Sequence, residues 1–230
     1  MTKRLSTAKS GKSAGAKRSS RRAEQIFNRL VTEIVAGAIP AGLPMREAKM
    51  ARQWGVSRTP MREAVRRVAE FGLLTLRHNR APLVRAFTAR EAEGLYKMRE
   101  VLELLAFKEA WDHIPPRLIR DLRRRARRIL NLKSDDRIDA CLLLDENLHR
   151  AWIDHCQNPW LTQSLQRIWT YICIFRRFMA RDPELVRQSY EDHCRILKTL
   201  GAAGPQAGLN ALRLHIRRSG AAVRAVVAAR

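Results

Sequence analysis

Four residues in the C-terminal half of the chain place metal-ligating side chains where polar groups are costly: Asp145, His149, His193 and His215. Asp145 and His149 stand four apart and share one helical stripe with Leu142, Leu148 and Trp152, the stripe that should enter a core. His193 lies between Tyr190 and the Ile196, Leu197, Leu200 series on a second apolar stripe, and His215 shares a third with Leu212, Ile216 and Val223. Any one core histidine can be simply a hydrogen-bonded core group. A buried carboxylate, however, is costly unless paired, so one Asp with three His is better explained as a shared divalent metal site than as four separately satisfied groups. Imidazole and carboxylate donors suit Zn, Ni, Mn or Fe, with no thiolate to insist on zinc. The alternative use of such a set is a metal-dependent enzyme that activates water at an open coordination position. Against it, no inward Glu, Ser or Cys at motif spacing offers a base or nucleophile, and the chain is expected not to be an enzyme.

A second chemistry is written in residues 55–67. Gly55 supplies a turn, Ser57 can cap a new helix, and Pro60 fits its first turn, where a missing N–H costs nothing. Met61, Ala64, Val65 and Val68 then form an apolar stripe, while Arg58, Thr59, Arg62 and Arg66 project from the other side. Arginine forks match guanine O6 and N7 in a major groove, with hydroxyls and further arginines on phosphates. A solvated basic face is the plain alternative, but the flanks argue for DNA. Upstream, residues 46–54 read as a short helix with Ala48, Ala51 and Trp54 on its inner side, meeting the basic helix at a Gly turn as in a helix-turn-helix. Downstream, residues 73–77, a tip at His78-Asn79-Arg80, and residues 83–85 read as a two-stranded wing.

The elements that must position these residues follow from composition and punctuation. The chain has 230 residues and a formal net charge of +23, a balance that favours polyanions such as nucleic acid. Residues 1–87 carry 19 Lys and Arg against five acids, and residues 88–230 carry 26 against 17. Residues 1–22 hold eight basic residues and no acid among Ser, Ala and Gly, the composition of a disordered, phosphate-binding tail. Ile26, Phe27, Leu30, Val31 and Ile34 predict an amphipathic first helix over 23–36 that packs under the reading helix. Thr88 with Glu91 forms a capping-box pattern that opens a second domain over 88–230. Six helices are expected there, at 88–112, 116–130, 135–155, 159–181, 183–200 and 205–229, most of them separated by prolines. The fold class is therefore mainly α: a winged helix-turn-helix over 23–87, then an all-α six-helix bundle. Arg117, Arg120, Arg123, Arg124, Arg125, Arg127 and Arg128 crowd one helix, most simply as a solvated face, otherwise as a contact for flanking DNA or an acidic partner. The four cysteines show no Cys-x-x-Cys pair, so a reducing cytoplasm is the natural setting. No stretch approaches the ~18 apolar residues of a membrane span. A basic protein that binds RNA or packages DNA without reading sequence is a further alternative, disfavoured by the helix-turn-helix pattern.

Residues 24–87 resemble the winged helix-turn-helix of the GntR family of bacterial transcription regulators. The resemblance rests on Gly37-Ala38-Ile39-Pro40-Ala41-Gly42, on an intact Gly55-Val56-Ser57-Arg58-Thr59-Pro60-Met61-Arg62-Glu63-Ala64, and on Arg77, Asn79 and Arg80 in the wing, where Ala81 replaces the usual glycine. Ala48 stands where some members carry a DNA-contacting arginine. Residues 88–229 are similar to the FCD domain of the FadR subfamily, and six helices favour its VanR-like branch. In metal-containing members the ligands are Asp-x-x-x-His and one His on each of two later helices, which this resemblance maps onto Asp145, His149, His193 and His215. It also implies that Arg99, followed by Glu103, could hold the carboxylate of a small organic acid effector; a surface i,i+4 ion pair is the other reading of those two residues. The implied protein is a cytoplasmic homodimer that reads a palindromic DNA operator, away from any membrane, in response to that acid.

Overall fold

The structure, a computed structural model, describes residues 10–201 and 204–229, with the backbone alone for residues 10–20, 134 and 135. It divides into two units, the first ending at Ala86 and the second beginning at Phe87.

The first unit runs α1 (Ser10–Ala36), α2 (Glu47–Gln53), α3 (Arg58–Glu70), β1 (Leu74–Arg77) and β2 (Arg80–Val84). Ile26, Leu30, Val31 and Ile34 of α1 are buried, as are Met61, Ala64, Val65 and Val68 of α3, the helix it packs against. Both are the stripes expected from spacing. The first helix starts earlier than expected: residues 10–22, read as a disordered tail, continue α1 back to Ser10, while residues 1–9 of that tail lie outside the described residues. Once an amphipathic segment has nucleated a helix, each added Ala, Lys or Arg gains a hydrogen bond at small entropic cost, so Gly11 and Gly15 do not end it.

Three local expectations also change. Ser57 sits at the N-cap of α3 with extended backbone, but its hydroxyl caps nothing; Pro60, the third helical residue, lacks the N–H such a cap would meet. Ala48 is exposed, because the inward arc of α2 runs through Glu47, Met50, Ala51 and Trp54, leaving Ala48 about 60° beyond its edge. The wing pairs Leu74 with Val84, Thr75 with Leu83 and Arg77 with Arg80, so its second strand starts at Arg80 and not at Leu83. Pro82 has no N–H for the ladder, yet its carbonyl accepts from Met45 N at 2.7 Å, which ties the segment before α2 to the strand. The tip is left to His78 and Asn79, and Asn79 takes a left-handed φ of 52°, which asparagine tolerates better than most residues.

The second unit is helical: α4 (Ala89–Ala110), α5 (Pro116–Ile129), α6 (Ser134–Ile153), α7 (Pro159–Met179), α8 (Pro183–Thr199) and α9 (Gln206–Ala228). The capping box forms as its sequence predicts: Glu91 N donates to Thr88 Oγ1 at 3.1 Å and Thr88 N to Glu91 Oε2 at 2.8 Å. Pro116, Pro159 and Pro183 open their helices where a missing N–H is harmless. Phe107, Leu144, Leu148, Trp152, Phe175 and Ile216 are among the fully buried side chains of the core. The most extensive helix contact is between α4 and α9. There Gly208 lies against the buried ring of Phe107, and a Cβ at Gly208 would stand 2.5 Å from Phe107 Cζ. Among the described residues no helix is long and apolar enough to cross a membrane.

Candidate functional site

The second unit brings its three inward histidines to one point. His149 on α6, His193 on α8 and His215 on α9 are all buried, and each turns Nε2 toward the others: His215 Nε2 lies 3.3 Å from His149 Nε2 and 3.3 Å from His193 Nε2. Asp145, one turn before His149, stands at the edge of the group, with Oδ1 3.5 Å from His149 Nε2 and Oδ2 3.8 Å from His193 Nε2. Ligand bonds of about 2.0–2.2 Å on a tetrahedral or octahedral ion separate neighbouring donors by roughly 2.8–3.6 Å, so the three imidazoles have the spacing of shared ligands, with the Asp145 carboxylate just outside that range from His193. The remaining histidines are elsewhere: His78 and His113 are exposed and His155 is half-buried, bonded through Nδ1 to Ala151 O.

Outer contacts favour the same use. His149 Nδ1 is hydrogen-bonded to Glu103 Oε2, and His215 Nδ1 faces Asp192 Oδ2 at 3.6 Å, so each ring's proton is drawn outward and the Nε2 lone pair inward. Burial lowers the His149 pKa to about 4 against the raising influence of Glu103, and burial pushes His193 well below the ordinary histidine value. Both rings are neutral near pH 7, as ligands must be. Burial alone would raise the Asp145 and Glu103 carboxyls, but Arg176 together with the surrounding histidines and Arg99 holds Asp145 well below the ordinary carboxylate range, and Arg99 together with His149 holds Glu103 down at about 2.

Arg99 and Glu103 are not a surface pair. They are 1% and 0% exposed; Arg99 Nε donates to Glu103 Oε1 at 2.6 Å, and Arg99 Nη2 lies 3.1 Å from His149 Nε2. Glu103 also accepts from Trp152 Nε1 at 3.0 Å. The sequence pattern offered no inward glutamate, and Glu103 corrects that expectation: on α4, Arg99 and Glu103 have the i,i+4 spacing of a solvated ion pair, and only the packed helices reveal their burial. Asp192 and Arg176 are likewise invisible to the pattern. Asp192 precedes His193 by one residue and so falls about 100° off the stripe; Arg176 sits in the aromatic run of α7, where its Nε stands 2.9 Å from Asp145 Oδ2 and its Nη2 donates to Leu142 O at 2.6 Å.

Five buried side-chain atoms among the described residues lack a hydrogen-bond partner of good geometry: Tyr96 Oη, Asp145 Oδ1, Trp169 Nε1, Arg176 Nε and His215 Nδ1, of which Arg176 Nε keeps its ionic contact with Asp145 and His215 Nδ1 faces Asp192. All belong to this neighbourhood, since Arg99 lies over the Tyr96 and Trp169 rings at 5.3 and 5.9 Å and Arg176 lies 5.8 Å from the Trp169 ring. Orphaned buried polar groups are rare, and such a concentration marks a place where a ligand would complete the bonding.

In the first unit, Arg58, Thr59, Arg62 and Arg66 are exposed along one side of α3, with Arg66 paired to Glu70 at 3.1 Å. Arg58 and Arg62 border a groove shared with Glu47, Ala48 and Ala51 of α2. On the wing Asn79 and Arg80 are exposed, whereas Arg77 is half-buried and donates Nε and Nη2 to Ala81 O at 3.0 and 2.7 Å. Arg77 thus braces the turn that carries the other two.

A basic helix-turn-helix with a wing, followed by a separate helical unit, has the make-up of a DNA-binding regulator, and comparison with known proteins agrees. Residues 22–84 match the bacterial regulatory proteins of the gntR family and residues 82–218 match the FCD domain. The chain belongs to the GntR family, in its FCD-containing form, and is a DNA-binding transcription regulator, not an enzyme. It is 32% identical over 161 residues to the Nta operon transcriptional regulator of Aminobacter aminovorans, covering 69% of this chain and 74% of that one. It is 28% identical over 196 residues to the probable D-xylose utilization operon transcriptional repressor of Paenarthrobacter nicotinovorans, covering 84% and 85%. Its fold is shared with E. coli McbR/YncC, at a TM-score of 0.65 and 20% identity over 88% of this chain and 96% of that one.

Proposed function

We propose that this regulator works in the cytoplasm as a homodimer whose two α3 helices read a palindromic operator, and that a divalent metal and a small organic acid in the second unit set its affinity for DNA. The observation that carries the ligand half is the convergence of three Nε2 atoms and Asp145, ringed by unsatisfied polar groups. Asp145, His149, His193 and His215 would hold the ion, which when bound offers open coordination positions to a carboxylate. Glu103 and Asp192 orient His149 and His215 from outside. Two of the orphaned atoms, Tyr96 Oη and Trp169 Nε1, are donors without an ionic partner, and with the Arg99 guanidinium at the border they favour an acceptor-rich anion as effector. An acid that binds one bundle arrangement better than another would shift the population between them. The six helices α4 to α9 support the VanR-like branch of the family.

Exposed Met98, Val101 and Leu105 on α4, with Leu214 on the adjoining α9, offer an apolar stripe that supports the homodimer. Two copies related by a two-fold axis would read a two-fold symmetric site. On DNA we assign Arg62, exposed at the middle of the basic face of α3, to a base edge, and Arg62→Ala should then weaken cognate operator binding by about 1–3 kcal/mol while changing random-duplex binding much less. Fluorescence anisotropy on both duplexes decides it; equal losses would reassign Arg62 to a phosphate. Native mass spectrometry of the purified protein, with and without a chelator, tests the ligand half: a copurifying divalent ion lost in His215→Ala is expected, and an ion-free dimer indifferent to added Zn, Ni or Mn would overturn it.

A further inference from the structure

The arginines of α5 are not accounted for by the fold. The buried face of this helix is Leu122, Ala126 and Ile129. At 3.6 residues per turn Arg117, Arg120, Arg124, Arg127 and Arg128 fall within an arc of roughly 100° on the opposite side, and all five are exposed. One neighbour off that arc, Arg123, serves the fold, because its guanidinium donates to Leu197 O and Leu200 O, the carbonyls at the C-terminal end of α8. Arg124 is paired with Asp121 at 2.6 Å, the one acidic residue of the helix. Arg127 and Arg128 lie in the last turn, where positive charge suits the helix dipole. Arg117 and Arg120 have no such reason. They stand near the N-terminal end, where the dipole disfavours cations, no acid occupies the first turn, and among the described residues neither has an ion-pair partner. Like charges three and four apart on one face repel as well. Glutamine would suit the helix equally and avoid both penalties.

We propose that this face of α5 is a second DNA contact, binding phosphates of the duplex outside the stretch read by α3. Planar guanidinium forks at helical spacing match a row of phosphates, and duplex DNA is the polyanion this regulator already binds. Such contacts would add affinity without reading sequence.

The test is the full-length variant with Arg117, Arg120, Arg124 and Arg127 all changed to Gln, compared with wild type on two duplexes carrying a site selected by the protein from a random pool. One duplex just covers the site, and the other extends it by about two helical turns on each side. On the longer duplex the variant should bind about tenfold or more weakly at low salt, with the slope of log affinity against log salt reduced by roughly 2–4; on the shorter one both should be nearly unchanged. Circular dichroism matching wild type establishes that the helix is retained, as removing charge repulsion leads one to expect. Unchanged affinity and slope on the long duplex would overturn the proposal. So would modification of these arginines by phenylglyoxal that poly-glutamate suppresses and DNA does not, since the face would then suit an acidic protein.

Discussion

Glu103→Ala lowers the stability of the second unit by about 3–5 kcal/mol, a large fraction of what holds a domain of this size together. The cause is the charge left behind. Arg99 is 1% exposed, its Nε has Glu103 as acceptor, and removal of the carboxylate leaves a guanidinium in the core beside His149. Trp152 Nε1 and His149 Nδ1 lose their acceptor in the same step. Urea denaturation followed by tryptophan fluorescence measures the loss, and a cost below about 1 kcal/mol would contradict the buried pairing. Replacing both partners, Arg99→Met with Glu103→Leu, should recover the part of the loss that comes from the orphaned charge, while Trp152 Nε1 and His149 Nδ1 still lack their acceptor.

The second large effect is metal-dependent. Wild-type protein stripped by chelator and then given divalent metal at about a thousandfold excess over its dissociation constant should gain about 4 kcal/mol, or on the order of 10 °C in Tm. His193→Ala and His215→Ala, thermally scanned without metal to establish that they fold, should gain little at the same metal concentration. Each removes one of the three Nε2 donors that meet within 4.8 Å. A scan with Zn, Ni and Mn should show gains with more than one of them, since imidazole and carboxylate donors do not single out one ion. Equal gains in wild type and both variants would place the ion elsewhere.

What was legible in the sequence was whatever a local pattern encodes. Thr88 with Glu91 marked the capping box, Pro116, Pro159 and Pro183 marked helix starts, and the stripe of Met61, Ala64, Val65 and Val68 separated the buried face of α3 from its basic one. The histidines could be paired with Asp145 because each lay among apolar residues on its own helix. What stayed hidden depends on packing between helices. Arg99 and Glu103 have surface chemistry and surface spacing until α6 is laid against α4; Asp192 is off the stripe of its own helix and is buried by partners from α9, including Arg218 at 3.0 Å. Arg77 looked like its wing neighbours, although its hydrogen bonds to Ala81 turn it inward. In α1 the difference is one of extent: composition alone underestimated how far a well-nucleated helix propagates through Ala, Lys and Arg.

Gly208 gives the buried centre a mechanical reference point. Gly208 and His215 lie on α9 two turns apart, about 10.5 Å along its axis and on nearly the same side. With the ring of Phe107 filling the space where a Cβ would be, α9 is keyed to α4 at one position, because Ala207 and Leu209 on either side carry a Cβ and a shift of even one residue, about 1.5 Å along the helix, would bring one of them round toward the ring. A slip of that size would carry His215 out of line with His149 and His193 and strand all three imidazoles. The alignment of the three histidines is therefore machined at a position that touches none of them.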